Sequence, residues 1–438
     1  MDFLIAFVLF LLSIILCMVT GSALYWALLA GFFFFFSVGL HRGFSCRDLL
    51  SMSIKGALSS LVVQRIMLVI GLLTALWRAS GTIAFFVHTG IRFITPHSFI
   101  LIAFLLPGLL CMALGSSFGV ASTAGIIVMT IARSGNANLV VAAGAVLSGC
   151  YLGERLSPAA SASALVAAIS EVDQSAFHRQ MWRTSVLPLS LTLLFYLVCS
   201  FLFPIQSVDV QVLSALEAEF RLLWPTLLPA LALVTLPWLH LSAFWSIVVS
   251  CVLAFPIALL VQDIPLGELL HACILGYTAQ QPELVTILSG GGLISMLSVV
   301  IILFLSCAYS GLFNGTGMLD PYKEKLCRLA DRIGLYPVQM LLGLLCPAIF
   351  CNQAVSIVMG GEIMKKRYQE LGLSNMELAI NLGNSAINLA GVVPWCIACS
   401  VPLTAIGGSM AAIPFAVFLY LVPLCHWLTG HSRRKLYS

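Results

Sequence analysis

Long apolar runs separated by short polar interruptions make up almost all of this 438-residue chain. A membrane-spanning helix needs about 20 mainly apolar residues, and on that length rule the pattern predicts about ten to thirteen crossings. Several runs are too short to cross alone, which indicates half-helices or re-entrant hairpins. The candidate spans are 3–20, 22–40, 56–77, 99–114, 119–132, 137–152, 184–204, 222–241, 243–262, 291–311, 337–350, 353–364, 379–401 and 410–429.

The composition agrees with a membrane protein. The chain is 61% hydrophobic and 9% charged, with a mean hydropathy of +1.06, whereas soluble domains carry about 25% charged residues. The net charge of +4 is scattered and forms no basic stripe of the kind that binds nucleic acid. We therefore predict an all-α polytopic membrane protein in contact with the lipid bilayer and without a nucleic-acid partner.

The distribution of basic residues predicts the orientation, because cytoplasmic loops carry an excess of Lys and Arg. No Lys or Arg lies between Arg221 and Lys323, so the loops of this stretch are expected to face outward. Both termini are then cytoplasmic, in a multi-pass protein of the cell membrane. The basic clusters are Arg42, Arg47 and Lys55; Arg179 and Arg183; 323–332; 365–367; and 433–435.

Two parts of the chain repeat each other. GLLCMAL at 108–114 recurs as GLLCPAI at 343–349, an offset of 343 − 108 = 235, and Pro158 recurs as Pro394, an offset of 394 − 158 = 236. The first copy starts from a basic loop and the second from a loop without basic residues, which predicts inverted-topology repeats. Such repeats are typical of secondary transporters, with the site at the midplane. The predicted division is 1–55, N-terminal spans and a cytoplasmic loop; 56–183, transport repeat 1; 184–290, connecting spans; and 291–438, transport repeat 2.

A small and polar segment, GSSFG at 115–119, interrupts one apolar run. Glycine tolerates a helix break, and serine caps the half-helix that follows, which leaves backbone amides and carbonyls for a ligand. Two other interpretations stay open: a small-xxx-small packing face, and a serine-nucleophile elbow of an intramembrane hydrolase, although that elbow follows a strand. The candidates are Gly115 and Gly119 as breaks, with Ser116, Ser117 and Thr123 as ligands.

Glu154 and Arg155 close the next apolar run. Charged side chains at membrane depth are costly and usually functional, so Glu154 is the candidate group that binds a cation or a proton. The alternative is an ion pair between the two neighbours at a helix end. Hydroxyls at Ser157 and Ser161 follow, and Pro158 is a candidate break.

Uncharged amides take the corresponding places in the second half. A buried amide must find partners, so these side chains either join helices or supply oxygen ligands to a cation or hydrogen bonds to a solute. Pro394 is the matching candidate break. The candidate ligands are Asn352, Gln353, Asn384, Ser385 and Asn388.

Several of these segments resemble the NhaC-type sodium/proton antiporter family of the ion-transporter superfamily. The likeness covers most of 70–170 and 305–425, in order. The matching segments are Trp77 with GTI at 81–83 and TG at 89–90; GSSFG at 115–119, similar to GTSWG; AGAVLSG at 143–149 with GERLSP at 153–158, similar to AGAIISG and GDKMSP; NQAVSIV at 352–358, similar to DQYLSIV; and PW at 394–395, similar to PWN.

The resemblance implies a set of acidic ligands, most of which this chain lacks. Where the family has Asp, this chain has Ser161, Asn352 and Asn384, and only Glu154 keeps a carboxylate. An amide cannot titrate. The resemblance therefore leaves Glu154 as the titratable ligand in this chain.

We expect a secondary active transporter of the sodium/proton antiporter type that exchanges cations across the cytoplasmic membrane. The alternative is an ion-coupled exchanger of a small organic acid or amino acid. No ATP-binding motif occurs, and we expect no enzymatic activity, no cofactor and no resident metal. Na⁺ is then a transient cargo beside H⁺ or an organic solute, and a homodimer is the oligomer we consider.

Overall fold

The computed structural model describes residues 2–20, 22–58, 61–93, 95–157, 160–205, 210–239, 241–318 and 320–434. These residues form α-helices and short turns, with one isolated bridge between Tyr277 and Gly290 and no longer strand among them. This confirms the predicted all-α fold. The helices of the described part are α1 Asp2–Thr20, α2 Leu24–His41, α3 Cys46–Leu58, α4 Leu61–Ala79, α5 Thr82–Phe93, α6 Phe99–Leu114, α7 Ser117–Val120, α8 Ile126–Ser134, α9 Leu139–Leu156, α10 Ser161–Ile169, α11 Gln174–Leu202, α12 Val210–Glu219, α13 Leu228–Thr235, α14 Ala243–Leu260, α15 Leu266–Leu275, α16 Pro282–Leu288, α17 Leu297–Thr316, α18 Asp320–Ile333, α19 Leu335–Phe350, α20 Gln353–Glu370, α21 Asn375–Leu389, α22 Ile397–Ala405 and α23 Val417–Arg434.

Several helices are suited to cross a bilayer. By length and composition, four helical stretches of the described residues qualify: Ser117–Ser134, Leu139–Leu156, Gln174–Leu202 and Ile294–Thr316. Three bent pairs of helices raise the number to seven if each pair is one span, and apolar helices of 10–17 residues such as α6 and α19 accompany them. The polytopic architecture is confirmed, while the number of ten to thirteen crossings stays a prediction.

The helices of the two halves begin and end at matching positions. Helix α19 starts 335 − 99 = 236 residues after α6 and ends 350 − 114 = 236 residues after it. The same offset relates the first residues of α9 and α21, and both ends of α10 and α22. The sequence offset of 235 to 236 thus corresponds to a repeated order of elements. The inversion of one half relative to the membrane stays a prediction.

The two halves also contact each other through their short helices. Helix α10 of the first half packs against α20 and α21 of the second, and α22 packs against α9 and a π-helical turn at Ala121–Gly125. The boundary predicted between 183 and 184 falls inside α11, which continues from Gln174 to Leu202.

Glycines bring α6 and α9 close together, and this contact places the first candidate ligand. A Cβ atom added at Gly149 would lie 2.3 Å from the carbonyl oxygen of Phe104, and one added at Gly153 would lie 2.3 Å from Cβ of Cys111. Only glycine fits such an approach, as in other membrane helix pairs. Cys111 lies one turn before the end of α6. Glu154, the residue after Gly153, is therefore held beside the interruption that follows α6.

Candidate ion and solute site

The first helix break lies at Gly115 and Ser116. Gly115 takes the left-handed backbone conformation (φ 69°, ψ 15°) after α6 ends at Leu114. The Ser116 hydroxyl then accepts a hydrogen bond from the amide of Gly119 at 3.2 Å and so caps α7. The prediction of a break at Gly119 is wrong, because Gly119 lies inside α7, where its N–H serves the cap. Nor does Gly119 form a packing face, since the atoms nearest to a Cβ added there belong to Ser116.

Glu154 meets the amino end of the half-helix that begins after this break. Its side chain is buried, with a residue exposure of 6%, and its Oε2 accepts a hydrogen bond from the amide of Ser117 at 3.1 Å. A helix N-terminus carries positive partial charge and stabilises a carboxylate. Glu154 therefore belongs to the broken segment of the first half.

Arg155 points away from Glu154 and joins the two halves. This guanidinium is fully buried. One of its terminal nitrogens donates to the Ser185 hydroxyl, and the other donates to Thr184 Oγ1 at 2.7 Å and to Asn384 Oδ1 at 2.5 Å. Its Nε has no partner, and no described carboxylate pairs with it. The alternative of an ion pair between the two neighbours is therefore wrong for this structure.

The second break repeats the geometry of the first with other residue types. Cys351 takes the left-handed conformation (φ 53°, ψ 19°) after α19 ends, and Asn352 caps α20 by accepting from the amide of Ala354 at 2.9 Å. The side-chain nitrogen Nδ2 of Asn352 donates to the sulfur of Cys307 at 3.6 Å. A non-glycine residue is uncommon in this conformation, so the gap between the runs 337–350 and 353–364 indicated the break although no glycine marks it.

The asparagine side chains at positions 384 and 388 of α21 are buried, and only part of their hydrogen-bonding capacity is used. Asn384 Nδ2 and Asn388 Oδ1 have no hydrogen-bond partner among the described residues. Asn388 Nδ2 donates to the carbonyl of Gly383 at 3.2 Å, and Gln353 Nε2 donates to the carbonyl of Ile387 at 2.9 Å. A donor and an acceptor on neighbouring turns are therefore available to a polar solute or an ion.

The structure links some predicted residues and separates others. Ser117 contacts Glu154 within the first half, and Arg155 contacts Asn384 across the two halves, although Arg155 was not predicted as a ligand. The hydroxyls of Thr123 and Ser385 donate within their own helices, to the carbonyls of Gly119 at 2.8 Å and Asn381 at 2.6 Å.

The remaining predicted residues flank these helices. Ser157 is buried in extended backbone at the end of α9, whereas Ser161 begins α10 with its side chain exposed. Pro394 lies in the break of 53° between the helical stretch of α21 and α22. Pro158 lies outside the described residues.

The surroundings of Ser117 do not fit a nucleophile elbow. A nucleophilic serine is activated by a neighbouring base such as His. Among the described residues no histidine bonds to Ser117, whose amide instead donates to Glu154. The helix that precedes it, α6, also stands where the elbow has a strand.

Comparison of the sequence with known proteins identifies the family of this chain. The sequence profile of the Na⁺/H⁺ antiporter family matches residues 3–176 and 149–428. The chain belongs to this family. It is a divergent member, and the match confirms the predicted class, a secondary transporter of the sodium/proton antiporter type.

Characterised relatives of the family differ in the solutes that their names give. The malate-2H⁺/Na⁺-lactate antiporter of Bacillus subtilis is 26% identical over 376 residues, 84% of this chain and 80% of the relative. The arginine/ornithine antiporter ArcD of Halobacterium salinarum is 26% identical over 385 residues, 85% and 79% of the two chains. The Na⁺/H⁺ antiporter NhaC of Alkalihalophilus pseudofirmus is 25% identical over 391 residues, 88% and 85%.

Proposed function

We propose that this chain exchanges Na⁺ for H⁺ and that the Glu154 carboxylate binds the two in turn. The observation that carries this is the buried Glu154 carboxylate held at 3.1 Å from the amide of Ser117, where α7 starts after the break. A buried carboxylate is costly unless a proton or a cation neutralises it. Competition between the two ligands at one carboxylate couples their movements.

The surrounding oxygens suit a hard cation. Na⁺, like other hard cations, takes oxygen ligands. The Glu154 carboxylate supplies the charge, and the hydroxyls of Ser117 and Ser157, both buried near the ends of α7 and α9, supply neutral oxygens. When Na⁺ leaves, a proton takes its place on the carboxylate, so the site is never left with an unneutralised charge in its apolar surroundings.

The residue types also suggest a stoichiometry. Ser161, Asn352 and Asn384 carry no titratable group where the resemblance implies acids. With Glu154 as the single exchanging carboxylate, one Na⁺ replaces one H⁺ in each cycle. The exchange is then electroneutral, and the membrane potential does not drive it.

The test is Na⁺-driven proton movement in proteoliposomes that contain the full chain and a pH-sensitive dye. We expect Glu154→Gln to abolish the Na⁺-dependent change in internal pH, since a glutamine neither titrates nor carries charge. Glu154→Asp should keep the exchange at a reduced rate. The matched control is Glu362→Gln, because Glu362 is an exposed acid on α20.

Wild-type exchange in Glu154→Gln would contradict the proposal. So would an equal loss in Glu154→Gln and Glu362→Gln, since the effect would then not depend on the buried carboxylate. For each variant, the amount of protein in the vesicles is measured on a gel, and its orientation is measured by protease accessibility.

A second candidate is exchange of an organic acid or amino acid. The observation that favours it is Arg155, a buried guanidinium between the halves with one nitrogen unpaired and only neutral partners among the described residues. The names of two relatives give organic solutes. Uptake of labelled lactate, malate or arginine, stimulated by an opposed Na⁺ gradient and lost in Arg155→Gln, would support this candidate over simple Na⁺/H⁺ exchange.

The remaining expectations form part of the same proposal. The basic loops support a cell-membrane protein with both termini on the cytoplasmic side, organised as 1–55, 56–183, 184–290 and 291–438 and able to form a homodimer in the bilayer. We propose no hydrolytic activity. Labelling of Ser117 by a serine-reactive fluorophosphonate would contradict that last point.

A further inference from the structure

Two arginines from different helices line one cavity away from the Glu154 segment. The cavity has a volume of about 270 Å³. Arg78, near the end of α4, and Arg133, in the last turn of α8, both lie in its lining. Residues 404–407 at the end of α22 and the loop around Gly291 complete it. The space thus lies between helices of the first half and the end of a helix of the second.

The charge of this cavity is not balanced by protein groups. None of the described residues that line it is acidic, and no described carboxylate pairs with either arginine. Arg78 is 9% exposed, and its Nε has no partner, while its Nη1 donates to the carbonyl of Thr74 at 2.8 Å. Buried charges are normally paired, so a lining with two guanidiniums and no carboxylate lacks its counter-charge.

Three consecutive glycines let the neighbouring loop pack closely beside the cavity. Gly290, Gly291 and Gly292 all have positive φ angles, of 125°, 82° and 84°. A Cβ atom at Gly291 would lie 2.6 Å from the amide nitrogen of Ala75, so the loop packs directly on the backbone of α4. A Cβ at Gly290 would lie 3.9 Å from Arg78 Nη2, an ordinary contact distance, so this loop also passes beside the guanidinium.

We propose that this cavity binds a small organic carboxylate, with Arg78 and Arg133 holding its carboxylate oxygens. Arginine is suited to this because its planar fork donates to carboxylates in pairs. The lining is mixed, with hydroxyls from Thr74 and Ser295 beside apolar surface from Ile126, Ile287, Met296 and Ile406. Such a surface suits an anion with a short carbon chain better than a bare inorganic ion. The proposal does not depend on the role of Glu154.

Arg133 has a structural contact as well. Its Nη2 donates to the carbonyls of Ile406 at 2.8 Å and Gly407 at 3.3 Å, and so holds the end of α22. Arg78 has no such contact with another helix among the described residues. Arg78 variants therefore report on the anion more directly, and Arg133 variants report on both the anion and the packing.

The test measures thermal unfolding of the full chain in lipid nanodiscs by tryptophan fluorescence. The probes are sodium lactate and sodium succinate against sodium chloride and sodium phosphate, at equal Na⁺ and ionic strength. A ligand that binds the folded state raises the midpoint with its concentration, so the carboxylates should raise it in a saturable way. Chloride and phosphate should not.

Variants assign that shift to the cavity. Arg78→Gln should weaken the apparent carboxylate affinity at least about tenfold, since it removes charge-assisted hydrogen bonds. Arg78→Lys, which keeps the charge, should weaken it less. Arg179→Gln, at an exposed position of α11, is the matched control and should bind like the parent. Glu154→Gln should also keep the shift, which separates this proposal from the proposed exchange.

A second measurement covers the case in which Arg78→Gln does not fold. Phenylglyoxal modifies accessible arginines, and mass spectrometry of the parent protein then reports each site. Succinate should protect Arg78 and Arg133 but not Arg179. Four outcomes would overturn the proposal: no carboxylate-dependent shift in the parent, the same shift with chloride or phosphate, an unchanged shift in Arg78→Gln, or equal modification with and without succinate.

Discussion

At the scale of single residues, the contact between Arg155 and Asn384 is a buried polar link between the two halves. Arg155 has a fully buried guanidinium whose Nε is already unpaired, and Asn384 supplies one of its three oxygen partners. The resemblance implies an acid at position 384, but the asparagine still offers an oxygen to the guanidinium. The asparagine thus supplies the guanidinium with an oxygen but with no counter-charge.

Removing that oxygen should weaken the protein. We expect Asn384→Ala to lower the free energy of unfolding by about 1–3 kcal/mol, because the buried guanidinium of Arg155 loses one of its three oxygen partners. Asn384→Asp keeps the acceptor and should be at least as stable as Asn384→Ala. Asn375→Ala, at the first residue of the same helix, is the control. Thermal unfolding in nanodiscs measures the difference, and equal midpoints for Asn384→Ala and Asn375→Ala would contradict this account of Arg155.

Only part of this arrangement was predictable from residue types. Glu154 could be singled out because an acid within an apolar chain is costly and the other expected acids were absent. The partners of Arg155 could not, because Ser185 and Asn384 lie 30 and 229 residues further along the chain. Only the folding of α11 and α21 onto α9 brings them together.

At the scale of helices, two breaks define the site, and they differ in how visible they are in the sequence. The first has the residues that a break favours, Gly115 for the left-handed turn and Ser116 for the cap. The second has a suitable cap in Asn352 but a cysteine in the left-handed position. The gap between the runs 337–350 and 353–364 indicated this break as well, but no glycine marked position 351 as its left-handed residue.

The first break offers a matched pair of glycine substitutions. Gly115 and Gly372 have nearly the same positive φ, 69° and 68°, and a Cβ at Gly372 meets no atom. A non-glycine residue in this conformation costs about 1–2 kcal/mol, so Gly115→Ala and Gly372→Ala should lose similar stability. Only Gly115→Ala should slow Na⁺-driven proton movement, because it displaces the amide of Ser117 from Glu154. Equal transport rates in the two variants would count against a role of the break.

At the scale of the whole molecule, a repeat of 236 residues underlies the fold. The sequence indicated it through two short matches, and the helix bounds of α6, α9, α10 and their counterparts follow the same offset. The inversion of the halves was inferred from basic loops, which depend on the position of the membrane. Short interrupted helices do not reach the length of about 20 residues that a membrane-spanning helix needs. The number of crossings was therefore harder to predict from the sequence than the all-α class.

The central claim is that a single carboxylate exchanges one Na⁺ for one H⁺. It is tested most directly by the Na⁺ gradient at which proton movement reverses in proteoliposomes, with the potential set by K⁺ and valinomycin. The account predicts that reversal occurs where the Na⁺ and H⁺ gradients are equal, whatever the imposed potential. A reversal point that shifts with the potential, or no Na⁺-dependent proton movement at any gradient, would contradict it.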